Sequence, residues 1–261
     1  MQHTDSARVL YRINGGSERA ISAGAVHDSA QVPILGLPAE ATITARVVAI
    51  AAPRSDTSAS VTNTLAAAPD IYRRVQLQTT TGHPSGGYVL VSLNLGDTSY
   101  AAAFDTTGHV AWYRAFPGSV SSSDAFQQPN GNITVYLGTS AGTSYGWNPV
   151  AGYYAEIRPT GEIVRQWTAP SGYYTDPHEL LVGTGAAPSY LFGYDLQPAD
   201  LTSHGGPPDT LLAGHTIFRI DAGGTATPVF VARDHFTLAD WVIPPFSFGD
   251  FDHPNSIDVA G

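Results

Sequence analysis

The chain has 261 residues, 43% hydrophobic and 13% charged, enough apolar content for a folded core and too little charge for a disordered chain. Its 12 basic residues are all arginine and face 22 acids, so the net charge of −10 removes the basic footprint that a nucleic-acid binder needs. With no cysteine, disulfide scaffolds and thiolate metal sites are also excluded.

The opening "MQHTDSARVLYRI" has neither the basic head nor the apolar core of a signal peptide, and no later window reaches the length of a membrane span. Residues 7–66 then read as β-sandwich material. "ARVLYRI" and "ATITARVVAIA" are short, β-branched, partly alternating runs. "INGGSE" is a hairpin-type turn, with Gly15 and Gly16 free to take positive φ. "ILGLPAEATITARVVAI" has the corner-then-strand pattern of a fibronectin type III module. Only three or four strands fit, whereas an immunoglobulin-like sandwich needs about seven. The expectation is a partial sandwich over residues 1–66, closing in the small, polar "VTNTLAAAPD" linker of 61–70.

From residue 67 a different texture sets in. "AAAFDTTGHVAWYR" (101–114), "YYAEIRPTGEIVRQWTA" (153–169) and "HTIFRIDAGGTATPVFVA" (215–232) each join two strands through a tight turn, with Gly108, Gly161 and Gly223 as turn glycines. Between them lie the strand candidates "GYVLVSL", "NITVYLG" and "SYLFGYD". Four strands per repeat, with 196–214 as an insertion, is the signature of a β-propeller. A generic antiparallel β-protein is the plainer alternative. Residues 67–261 hold about three to three and a half blades, fewer than a closed ring requires. The expectation is therefore an all-β chain that is a fragment of a longer protein.

Two segments concentrate polar chemistry at the mouths of apolar strands: "YYTDPHELLV" (173–182) and "GDFDHPNSIDV" (249–259). Innermost propeller strands begin near the central channel, so His178 and His253 are expected to converge on one pocket. Protonated His178 and His253, with the Asn255 amide, are suitable donors for an oxyanion. Asp176, Asp250 and Asp252 are placed to orient the imidazoles and hold them charged. Each has a simpler explanation: the aspartates, Asn255 and Ser256 as turn formers, Pro177 and Pro254 as shapers of the strand start, a lone histidine as a satisfied structural one. Asp176, His178, Asp252 and His253 are acceptable metal ligands in kind, but they lack a tight local pair, and neither a metal nor a cofactor is predicted. "RDHFTLADWVIPPFSFGD" (233–250) offers Trp241, Phe246 and Phe248 as walls for an aryl group, or as plain packing over a blade edge. His215 and His235 read only as parts of strands or their ends.

"TDPHELL", "DFDHPNSID", the "FDTTGHVAWY"-like hairpins and "LFGYDLQPADL…GGPPDTLLAGHTIFRID" resemble motifs of the aryl sulfotransferase family. The resemblance covers most of residues 71–261. It implies a six-bladed propeller enzyme that moves a sulfuryl group from an aryl sulfate to a phenol by a ping-pong route through a sulfated histidine. It carries over His178, His253 and Asn255 as active-site positions. It sets the nucleophilic histidine and an accompanying arginine in later blades, so this chain alone is expected to be inactive. It also implies small-molecule aryl sulfate and phenol as partners, no nucleic acid, no membrane span and a periplasmic or extracellular location. A non-catalytic binding module and a propeller ester hydrolase are the competing expectations.

Overall fold

The computed structural model describes residues 6–26, 28–73, 87–139, 151–240, 249 and 251–259. Antiparallel sheets make up this all-β structure, none of them closed among the described residues. The one α-helix among those residues is the four-residue turn Asp70–Arg73, and no helix among them is long and apolar enough to cross a membrane. The chain divides into two compact units, Met1–Val89 with Ala102–Tyr113, and Leu90–Ala101 with Arg114–Gly261.

The first unit holds β1 (Ser6–Ile13), β2 (Arg19–Gly24), β3 (Thr42–Ala51), β4 (Arg54–Thr57) and β5 (Val61–Thr64). They form one sheet in the order β2-β1-β3-β4, with β5 also paired to β3. Tyr11, Ala41 and Ile43 form its buried core, and Ile34 and Leu37 of the predicted corner pack against them. The β1–β2 turn differs from expectation. Asn14 and Gly15 take positive φ (49° and 71°), and the Gly16 N–H donates back to the Ile13 carbonyl. Asn-Gly supplies both left-handed residues of the tight turn from Ile13 to Gly16, so Gly16 is not needed for that role.

Next come β6 (Tyr88–Leu95), β7 (Thr98–Asp105) and β8 (Val110–Pro117), a three-stranded sheet in chain order. Two four-stranded meanders follow: β9 (Ser121–Gln127), β10 (Ile133–Gly138), β11 (Gly152–Ile157) and β12 (Ile163–Trp167), then β13 (Tyr174–Leu181), β14 (Ser189–Ala199), β15 (Thr210–Ile220) and β16 (Ala226–Val231). All three predicted hairpins form, as β7–β8, β11–β12 and β15–β16. Their turns close on the N–H of Gly108, Gly161 and Gly224. The third turn glycine is therefore Gly224 (φ 88°) and not Gly223. A turn that closes Asp221 onto the residue three later puts the left-handed position at Gly224.

The two meanders share a core of Tyr136, Tyr154, Trp167, Leu180, Val182, Leu191 and Ile220. Buried Gln128 ties them together: its amide donates to Thr134 and to the Leu180 carbonyl, and its Oε1 accepts from the Val182 N–H. The stretch 196–214, expected as an insertion, is strand at its two ends, which extend β14 and β15, and loop only over 200–209. β14 and β15 pair along 11 residues each, from Ser189↔Ile220 to Ala199↔Thr210. β16 covers only Thr216–Ile220, so the Thr210–His215 half of β15 has its far edge left open by β16.

Candidate functional site

That open edge receives the "GDFDHPNSID" segment. The Ala213 N–H donates to the Gly249 carbonyl and the Phe251 N–H to the Ala213 carbonyl. Phe251 anchors the segment by burying its ring against Leu201 and Leu212. Further along, the Ile257 N–H donates to the Glu179 carboxylate on β13. The described residues 251–259 are not a strand, contrary to the sequence expectation. Their backbone bonds run to β15 at one end and to a β13 side chain at the other, so no continuous ladder forms.

β13 presents its polar residues through a bulge. Thr175 pairs with Gly193 and Leu180 with Leu191, so the four residues 176–179 of β13 stand against Phe192 alone on β14. Pro177 has no N–H to give to a ladder, which suits it to this break. Bulges re-aim side chains, and this one carries Asp176, His178 and Glu179. Beside it, the register sets Tyr174 opposite Tyr194 and Tyr194 opposite His215, with the two tyrosine rings stacked at 5.3 Å.

Asp176 is fully buried and is the hub of the site. Its Oδ1 accepts from the backbone N–H and the ring Nδ1 of His178, the latter at 2.8 Å. Its Oδ2 accepts from His215 Nε2 at 3.1 Å. The other His215 nitrogen, Nδ1, donates to Asp252 Oδ1 at 3.0 Å, and the His215 N–H donates to the same oxygen. Both ring nitrogens of His215 thus face carboxylates, which makes His215 an imidazolium held between Asp176 and Asp252. Burial works against that charge, but bonds and attraction from the two aspartates outweigh it and raise His215 to about 9. Burial likewise pushes Asp176 up, and His178 and His215 more than offset it, holding the carboxyl at about 2.

His178 and His253 come together as predicted, with ring centroids 4.8 Å apart in an edge-to-face contact. Asn255 lies exposed, and its amide donates to the His253 carbonyl at 3.3 Å, the turn chemistry weighed above. Asp176 serves in both predicted ways, accepting a backbone N–H and orienting the His178 ring, whereas Asp252 accepts a backbone N–H but orients His215 rather than His253. Trp241, Phe246, Phe248 and Asp250 lie outside the described residues. Among the described residues no group of three His, Asp or Glu side chains is arranged to hold a metal ion. Both Asp176 oxygens are already occupied by imidazole donors.

The neighbouring strand β9 adds Asp124. A second bulge lies there, between the pairs Thr134↔Phe126 and Tyr136↔Ser123, and Asp124 sits in it at a φ of 45°. The Ser123 hydroxyl donates to the Pro177 carbonyl at 2.9 Å, joining the two bulges. Burial, with the nearby Glu179 charge, raises the Asp124 carboxyl to about 6, against the opposing pull of Tyr154, Leu180 and His178. Burial also pushes the Tyr154 phenol up, so it stays a neutral O–H.

His215 and Asp124 escaped the sequence reading. One signal for His215 was present: a histidine inside the apolar run "TLLAGHTIFRI" must be buried, and a buried imidazole needs partners. Gly214 beside it admits no side chain, because a Cβ would collide with Arg233, whose Nη2 bonds the Leu212 carbonyl. "SSSDAFQ" carried no comparable signal for Asp124. No protein-family model matches the sequence, and no curated protein is significantly similar to it.

Proposed function

We propose that this chain is part of an aryl sulfotransferase-like enzyme, and that His178 and His253 are two of the groups that donate to the sulfuryl oxygens. The observation that carries the reading is the 4.8 Å edge-to-face contact of these two rings, brought together from segments far apart in sequence. In this reading β6–β8, β9–β12 and β13–β16 are successive propeller blades, β9 and β13 are their inner strands, and the first sheet belongs to a sandwich. The histidines then line the channel.

Sulfuryl transfer, like phosphoryl transfer, spreads charge over equatorial oxygens, and catalysis rests on preorganised donors. Asp176 fixes the His178 ring through Nδ1, and the buried Asp176–His215–Asp252 chain keeps Asp176 itself from moving. Asn255 holds the His253 backbone in its turn. Asp124, Asp176, Glu179 and Asp252 outweigh the charge that three histidines can carry. The sulfuryl oxygens therefore need a further cation, which is the part the resemblance gives to an arginine outside the matched positions. The histidine that becomes sulfated also lies outside them in this reading. Trp241, Phe246 and Phe248 supply the aryl wall.

The test is an assay of the full-length protein with an aryl sulfate donor and a phenol acceptor. Sulfate should move to the phenol, and the His178→Ala, His253→Ala double variant should fall to background. Transfer at the normal rate in the double variant would refute the site. Release of sulfate to water at the same rate without any phenol would make the protein an ester hydrolase. No turnover of any donor would leave a binding module.

A further inference from the structure

Asp124 combines two unfavourable features that the described fold leaves unexplained. It is a non-glycine residue in the left-handed region, and its buried Oδ2 has no hydrogen-bond partner. Tyr154 Oη is also buried without a partner of ordinary geometry, although its hydroxyl is close enough to pull the Asp124 carboxyl down. Local strain and unsatisfied carboxylates persist where the surroundings hold them for a purpose. The bulge that creates both features is tied to the bulge of β13 through Ser123 and Pro177. Asp176 has both oxygens quenched by imidazole donors, whereas Asp124 keeps a bare one close to His178 and Glu179.

We infer that Asp124 is a positioning residue of the histidine site: its carboxylate, held by the β9 bulge, is a second negative charge that favours the imidazolium form of His178. This rests on His178 being a site residue and not on the chemistry being sulfuryl transfer. Asp176 on β13, Asp124 on β9 and His253 in the docked segment face His178, and around them stand Glu179 on β13, Tyr136 and Tyr154 on β10 and β11, His215 on β15 and Asp252 in the docked segment. Asp176 and Asp252 are held by His215. Burial raises Asp124 to about 6, so its own charge changes in the range where histidines work.

Titration of the His178 ring by NMR in the protein and in its Asp124→Asn variant tests the inference. The His178 pKa should fall by about half a pH unit or more in the variant. The difference should open only above the pH at which Asp124 ionises. Asp124→Gly is the second variant, because glycine takes positive φ without strain. It should melt no lower than Asp124→Asn and still show the lowered His178 pKa, a combination that a merely structural role does not produce. An unchanged His178 pKa in Asp124→Gly overturns the inference, whether or not Asp124→Asn folds. If the shift appears but no sulfate is transferred by the unaltered protein, the inference stands and the sulfotransferase reading fails. If transfer is present and the shift absent, the reverse holds.

Discussion

Among the described residues of the second unit two carboxylates are buried, one in each four-stranded sheet, and their partners differ in kind. Glu156 on β11, 5% exposed, accepts from Asn130, Asn132 and the Trp167 indole. Asp176 on β13, 0% exposed, accepts from His178 and His215. Amide and indole donors keep their hydrogens at any working pH, so Glu156 acts as a fixed brace for the Asn130–Asn132 turn. Imidazoles gain and lose protons, so Asp176 belongs to a network that responds to pH. Equal burial therefore does not mean an equal role. The donor type separates a structural knot from a candidate site.

The strongest way to break this comparison is to remove each carboxylate. Asp176→Ala leaves a buried imidazolium short of one counter-charge and should cost about 3–5 kcal/mol in urea unfolding at neutral pH. Glu156→Gln keeps the shape and one acceptor and should cost about 1–3 kcal/mol. Equal losses would erase the distinction.

The pH dependence of the melting temperature sharpens it. His215 is raised to about 9 in the fold, so its contribution is complete below its unfolded value of about 6.5 and is lost as pH climbs through 9. Asp176 is depressed to about 2, so its contribution is complete above about 3.8 and disappears as pH falls through 2. Asp124 is raised to about 6, so its contribution is full below about 3.8 and lost as pH rises through 6. Stability should peak near pH 4 and decline in two alkaline steps. His215→Gln should abolish the upper step, Asp124→Gly the lower, and Glu156→Gln neither.

The smallest expected effect concerns the hairpin turns. Gly224→Ala places a Cβ at positive φ and should cost about 1 kcal/mol, whereas Gly223→Ala should cost clearly less. A reversed order would return the turn to the register first read from sequence.

Much of this was legible because it is local. Turn chemistry within four residues produced three hairpins at the expected positions, and alternating apolar runs located β1, β3, β6, β10 and β14. The pairing of His178 with His253 was legible for another reason, since both lie in acid-rich segments that lead into apolar runs. The insertion expected at 196–214 shows the limit: its two ends are strand because β14 pairs with β15 along their whole length, a long-range gain that outweighs local polarity.

By itself the sequence determined an all-β chain, its hairpin spacing and two histidines worth pairing, because these depend on backbone preferences and periodicity over a few neighbours. Tertiary structure alone decided that His215 is the buried cation of the site. Its two counter-charges, Asp176 and Asp252, stand 39 and 37 residues away along the chain, and only the folded sheet with its docked segment brings them to either side of one ring. The bulges at Asp124 and Asp176–Glu179 were decided the same way, because a bulge is a mismatch between two strands and no single strand can encode it.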